Sequence, residues 1–230
     1  MIGDVRSRKV IRTLLIMGFF STLFGCKKES SVDPTQPVAV IVTNDDQHNE
    51  IYERGSQLIS PHMQLLDRDP RVTKAVREQV TRGIHDLDAV TAFNSGNWAA
   101  FWIKGKGYQV LGAHEAANKE FKASFDIQKK NPDVAREYAS SCLELGHGAE
   151  AVRVAQHAIQ VTPDDAGLYA NLALAFLIDG KNIEAKKAVE QALTMAPQDK
   201  ISQAVRGVVD DIIAGKRRQP KTMADLNRKS

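Results

Sequence analysis

The residues of this 230-residue chain with the widest chemical range are its six histidines and two cysteines. Zinc sites and thiol nucleophiles need such groups at short, fixed spacings, such as two histidines one helical turn apart. His48, His62, His85, His114, His147 and His157 are scattered, and none forms an HExxH or a pair flanked by cysteines. No metal site and no cofactor is therefore expected. Gly105-Lys106-Gly107 lacks the strand that must precede a phosphate-cradling loop. Acid–base chemistry would have to rest on Asp45, Asp46, His48 and Glu50, the candidate cluster of region 38–95. The residue types point to a chain that binds rather than one that catalyses.

The amino-terminal segment supplies an address. Arg6, Arg8, Lys9 and Arg12 precede the apolar stretch 14–24, the pattern of a secretory signal. At that length it falls short of the ~20 residues a spanning helix needs, and a short uncleaved anchor is the competing reading. Leu23-Phe24-Gly25-Cys26 resembles the lipobox of bacterial lipoproteins, although Phe24 stands where a small or β-branched residue is commoner. That resemblance implies removal of residues 1–25 as a signal peptide and lipidation of Cys26. Acyl chains contribute ~0.8 kcal/mol per buried methylene, enough for durable anchoring when several are attached. Lys27 follows where aspartate would retain a lipoprotein at the inner membrane, so in a Gram-negative cell the resemblance implies the periplasmic side of the outer membrane. Arg6, Arg8, Lys9, Arg12 and one acid, Asp4, account for the whole net charge of +3, so the mature body is neutral and nucleic acid is not an expected partner.

Residues 26–49 are polar and punctuated by Pro34 and Pro37, as a tether between lipid and fold would be. Within them Val38–Val42 reads as an extended segment packed on a helical body. With 43% apolar and 26% charged residues, the remainder can build one sizeable core.

Beyond residue 95 the chain repeats. Gly112, Gly146 and Gly180 are 34 residues apart, as are Ala117, Ala151 and Ala185, Pro163 and Pro197, and Tyr108, Cys142 and Phe176. This period and these residue types resemble the tetratricopeptide repeat, a helix-turn-helix unit. The best copy is 166–199, with Tyr169, Leu172, Ala173, Phe176, Ala185, Val189, Ala192 and Pro197 in the family's positions. Copies 132–165 and 98–131 share the frame, the latter with Lys104 where leucine is usual. Cys142 falls in the aromatic column and reads as a buried small side chain.

Stacked units must be closed at both ends. Ile201, Ala204, Val205, Val208, Val209, Ile212 and Ile213 recur every three or four residues, predicting an amphipathic capping helix over 200–214. Val72, Val76, Val80, Ile84, Leu87, Val90 and Phe93 predict a long helix at the other end, its partner lying around 50–66 and interrupted by Pro61. Residues 50–97 are thus a degenerate amino-terminal unit ahead of the three repeats. The expected fold is an all-α solenoid of about three repeats, a degenerate amino-terminal helix pair and a capping helix.

The family resemblance implies a concave wall formed by the first helix of each unit. It assigns Trp102, Lys106 and Gln109, then Arg136, Ser140 and Leu143, as groove residues, and gives Leu174 and Leu177 an apolar end. Trp102 either meets a partner or packs on the preceding unit, and Lys106 suits a carboxylate. The leucines suit coverage by the capping helix or, alternatively, a lipid or glycan ligand. The tail 215–230, rich in Lys216, Arg217, Arg218, Lys221, Arg228 and Lys229, reads as a solvated terminus, with contact to anionic lipid as the second reading. Together these imply a membrane-anchored, non-enzymatic scaffold or adaptor of the bacterial envelope that takes a protein or peptide partner in its groove.

Overall fold

A computed structural model describes residues 40–63 and 72–226. The expected export leader, Cys26, the expected tether up to residue 39, Leu65, Leu66, Arg228 and Lys229 lie outside the described residues.

Ten helices follow one another among the described residues. They are α1 (Asp45–Ile59, continued by a 3-10 turn at Ser60–His62), α2 (Lys74–Phe93), α3 (Trp98–Leu111), α4 (His114–Ile127), α5 (Pro132–Glu144), α6 (Gly148–Val161), α7 (Ala166–Ile178), α8 (Asn182–Met195), α9 (Lys200–Ile213) and the short α10 (Met223–Leu226). No strand occurs among the described residues. Each helix from α1 to α9 packs against the next, the arrangement of a solenoid.

The sequence period becomes a period of helix ends. α3, α5, α7 and α9 start 34 residues apart, and so do α4, α6 and α8. Asn97, Asn131, Asp165 and Asp199 stand at that same interval, and each accepts a backbone N–H from the first turn of the helix it precedes. Such caps satisfy amide groups that have no partner inside the helix, contributing about 1 kcal/mol each. The other end of the first helix is closed by Gly112, Gly146 and Gly180, all with φ between +73° and +76°. There the next residue's N–H reaches back five residues, as from Ala113 to the Tyr108 carbonyl, and glycine alone takes this backbone without strain.

The amino-terminal unit lacks this regularity. α1 begins at Asp45, before the boundary expected at residue 50, because Asn44 caps it by accepting the Gln47 amide at 2.9 Å. Val40 and Val42 pack against the cluster of Ile51, Ile59, Val80, Ile84, Leu87 and Val90, so these two residues are seated on the helical body, while Val38 lies outside the described residues. α1 and α2 cross at glycines: Gly55 and Gly83 put backbone against backbone. Beside the crossing Arg54 donates twice to the buried Asp86, both bonds at 2.7 Å. These bonds raise the guanidinium's pKa against the opposing pull of burial.

At the carboxyl end the helix α9 forms as expected but buries a narrower face. Val205, Val209 and Ile212 are buried with Ser202, whereas Ile201 and Ile213 are 56% and 43% exposed. Positions 205, 209 and 212 lie on one stripe at 100° per residue, and 201 and 213 sit at the helix ends beyond the neighbour.

Gly83 occupies the column that the repeats fill with Ala117, Ala151 and Ala185, and alanine gains about 1 kcal/mol over glycine inside a helix. A Cβ there would stand 2.8 Å from both the Gly55 carbonyl oxygen and Ile59 Cγ1. Crowding outweighs propensity: Gly83→Ala is expected to lower stability by about 1–3 kcal/mol in urea unfolding. An increase would show that the crossing is looser than these distances require.

Candidate functional site

The first helices of the units line one side of the stack. The backbones of α1 and α3, of α5 and α7, and of α7 and α9 approach each other closely. α3 and α5 are instead bridged by side chains. Lys106 Nζ donates to Glu137 Oε1 at 2.5 Å and stands 5.4 Å over the Trp102 ring. Trp102 is half-buried and packs on both apolar clusters of the interior, the one built on α1 to α3 and the one built on α4 to α9. It therefore packs on the preceding unit and also stays partly open to the wall. Its indole N–H is buried without a hydrogen-bond partner.

Lys106, expected to meet a ligand carboxylate, is 8% exposed and already paired within the chain. Arg136 is likewise occupied. Its guanidinium donates to Asp133 and to Asp165, each at 2.6 Å, and Asp165 in turn caps α7 through the Gly167 amide. One side chain thus ties α5 to the start of α7. Gln109 and Ser140 are half-buried wall residues, as is Leu174. Leu143 and Leu177 are buried, at 4% and 0% exposure, so neither offers free surface.

A buried cation sits behind the wall. Lys104, in the leucine column, contacts Asp88 at 2.7 Å and Glu120 at 3.1 Å with 6% of its side chain exposed. Burial pulls its pKa down, and the bonds and fields of Asp88 and Glu120 overcome that, for a net rise. The lysine was visible in the sequence as a departure from the repeat, but nothing in the linear order linked it to Asp88 and Glu120. Glu137 and Asp165 were missed for the same reason.

The proposed catalytic cluster does not converge. Asp45 and Asp46 are exposed in the first turn of α1, where carboxylates complement the helix dipole. The His48 ring lies 5.8 Å from that of Phe93 and 3.3 Å from the Asn97 amide nitrogen.

Among solved structures, MamA from Desulfovibrio magneticus RS-1 resembles this chain with a TM-score of 0.59 and 15% identity, over 75% of this chain and 88% of that one. A tetratricopeptide repeat protein from Parabacteroides merdae matches with a TM-score of 0.60 and 12% identity, over 74% and 62%. The fold is a tetratricopeptide solenoid. No protein-family model and no curated protein matches the sequence.

Within this solenoid the second unit carries its own polar brace. Tyr138 donates its hydroxyl to Glu150 at 2.8 Å, and Arg153 donates to both oxygens of the same carboxylate. The Arg153 bonds, opposed by burial and joined by Tyr138, hold the Glu150 carboxyl at about 2. Burial and Glu150 together push the Tyr138 phenol up. Cys142 is buried in the aromatic column, its thiol pushed up by burial, which leaves little of the reactive thiolate.

Glu150 stays ionised in the folded chain at pH values where the unfolded chain takes up a proton, near the ordinary 4.5. Its contribution is therefore whole above about pH 4.5 and is lost as pH falls toward about 2. Glu150→Gln is expected to reduce stability at neutral pH and to flatten the decline between about pH 5 and 2, read from urea midpoints. A variant that follows the wild-type pH curve would show that the brace carries no linkage.

Proposed function

We propose that this chain is a lipid-anchored tetratricopeptide scaffold or adaptor of the bacterial cell envelope, holding a protein or peptide partner along its concave wall. The observation that carries the binding half is the wall itself. Trp102, Gln109, Ser140 and Leu174 are left half-buried along α3, α5 and α7, while Lys106 and Arg136 are neutralised by the chain's own acids. Half-buried aromatic and amide groups with little free charge suit an extended, largely uncharged segment that contributes backbone hydrogen bonds. The basic leader and Leu23-Phe24-Gly25-Cys26 support the anchoring half.

A lipid or glycan pocket at the apolar end has less support. Ala170 and Leu177 are buried, and α9 packs against α7. Leu174 alone of the three remains half-open, and one leucine makes no pocket for an acyl chain.

Crosslinking in intact cells followed by pulldown tests the wall. Trp102→Ala is expected to reduce partner recovery at least fivefold, whereas exposed Lys187→Ala on α8 leaves it unchanged. Equal recovery from both variants would move the binding surface elsewhere. For the anchor, mass spectrometry of the mature protein is expected to find a diacylglyceryl-modified Cys26 as its first residue. An unmodified amino terminus upstream of Cys26 would remove the lipoprotein assignment.

A further inference from the structure

The repeat register places a second helix of a fourth unit at residue 216, since α4, α6 and α8 begin at 114, 148 and 182. The chain does something else there. The amides of Lys216 and Arg217 both donate to the Asp211 carbonyl, at 2.8 and 3.2 Å, and the backbone after Gly215, with φ +70°, turns back over the solenoid. Residues 216–226 of the basic tail expected in solvent are instead seated on the fold.

Its contacts fall on two successive units. Gln219 Nε2 donates to the Leu177 carbonyl at the end of α7, and its Oε1 accepts from Asn182 Nδ2 at 2.9 Å at the start of α8. Pro220 is buried. The Lys221 carbonyl lies against Gly146, where a Cβ would stand 2.7 Å from it, so the α5–α6 turn admits this backbone only because it lacks a side chain. Met223 and Leu226 pack on the core cluster that contains Leu143, Leu177 and, on α9, Val205, Val209 and Ile212, with α10 against α5. Arg217 donates to the Leu226 carbonyl and closes the segment on itself. Lys216, Arg218 and Lys221 remain exposed. The groups that meet the solenoid are thus a carboxamide, a proline and two apolar side chains, while Lys216, Arg218 and Lys221 face outward and Arg217 is half-buried within the segment.

This is how an extended peptide would dock, with a side-chain amide reading a backbone carbonyl and apolar residues filling the edge of a core. We propose that residues 216–226 are an intramolecular ligand of the solenoid. They form a strap across the ends of α7 and α5 that gives way to a partner's extended segment of the same pattern, glutamine-proline with apolar residues three and six positions after the proline. The idea rests on the peptide-binding reading above and adds a second site with its own occupant. Ordering a backbone costs about 1–2 kcal/mol per residue, which a strap held by so few side chains offsets only narrowly. Its advantage is tethering, since a short linker keeps it at an effective concentration on the order of millimolar.

The test is a fluorescein-labelled peptide of residues 216–230, titrated onto the full chain and onto full-length Pro220→Asp. The strap blocks its own site, so the peptide is expected to bind Pro220→Asp at least tenfold more tightly than wild type. Equal affinities, or no binding to a variant whose circular dichroism and thermal melt match wild type, overturn the proposal. Should Pro220→Asp lose its helical signal, hydrogen exchange on the wild-type chain decides instead. Millimolar peptide is expected to speed exchange within residues 216–226, and unchanged exchange overturns the idea. The titration needs no cellular partner, so its failure leaves the adaptor reading standing, and a failed pulldown leaves the strap standing.

Discussion

A helix pair of this kind cannot bury its apolar face alone. Phe121 and Phe125 on α4, Tyr138 on α5 and Val154 on α6 reach near-complete burial only because the following pair covers them. Everything else in the molecule answers to that dependence. Pairs must arrive in register, which the Asn and Asp caps and the positive-φ glycines enforce at both ends of the first helices. They must also approach closely, which Gly105 permits by leaving room for the Phe121 ring. Finally the stack must stop at both ends without exposing a core.

The same dependence explains where the charges go. Cations in the inner wall of a stack are desolvated on both sides, and a buried ion needs a partner in good geometry to be tolerated. Lys104 draws Asp88 from α2 and Glu120 from α4, Lys106 draws Glu137 from α5, and Arg136 draws Asp165 from the entry to α7. Each pair joins helices of neighbouring units or of the two halves of one unit. Pairing of this kind adds less to net stability than to the choice of neighbour, because a slipped register would leave a carboxylate or an ammonium buried alone. The consequence for the wall is that these cations are already paired inside the chain.

Much of this was legible in the linear chain. Glycine, alanine and proline columns at one period specify the backbone of a repeat, since they mark left-handed turns, close contacts and helix ends whatever the rest of the sequence does. The packing of Val40 and Val42 was readable for a similar reason, both being apolar residues in an otherwise polar stretch. What the period cannot carry is any contact that occurs once. Lys106 and Glu137 lie 31 residues apart, and Arg136 and Asp165 lie 29 apart. Neither spacing is the repeat's, so wall residues taken from the repeat pattern were credited with free charge they do not have. Gln219 and Pro220 were hidden in another way. Lysines and arginines on either side made the segment look like a solvated terminus, whereas Pro220 is buried and Gln219 bonds at the α7–α8 turn.

The carboxyl end shows how the stacking rule and the binding reading meet. α9 fills the slot of a first helix and so presents to the next position a surface that a second helix would normally share. A polar outer face on α9, carried by Gln203, Arg206 and Asp210, removes the need for that helix, and Asp210 is held ionised below its ordinary range by Lys186. The chain is therefore free to use the residues after Gly215 for something other than a repeat. Had the strap served only to close the stack, its contacts would centre on α9, the last helix of the stack. Gln219 instead bonds at the α7–α8 turn and α10 lies on α5, two first-helix positions back, beside units that already have neighbours on both sides. A segment that bypasses the exposed end of a solenoid to lie on its interior units behaves as a ligand of that solenoid rather than as its cap.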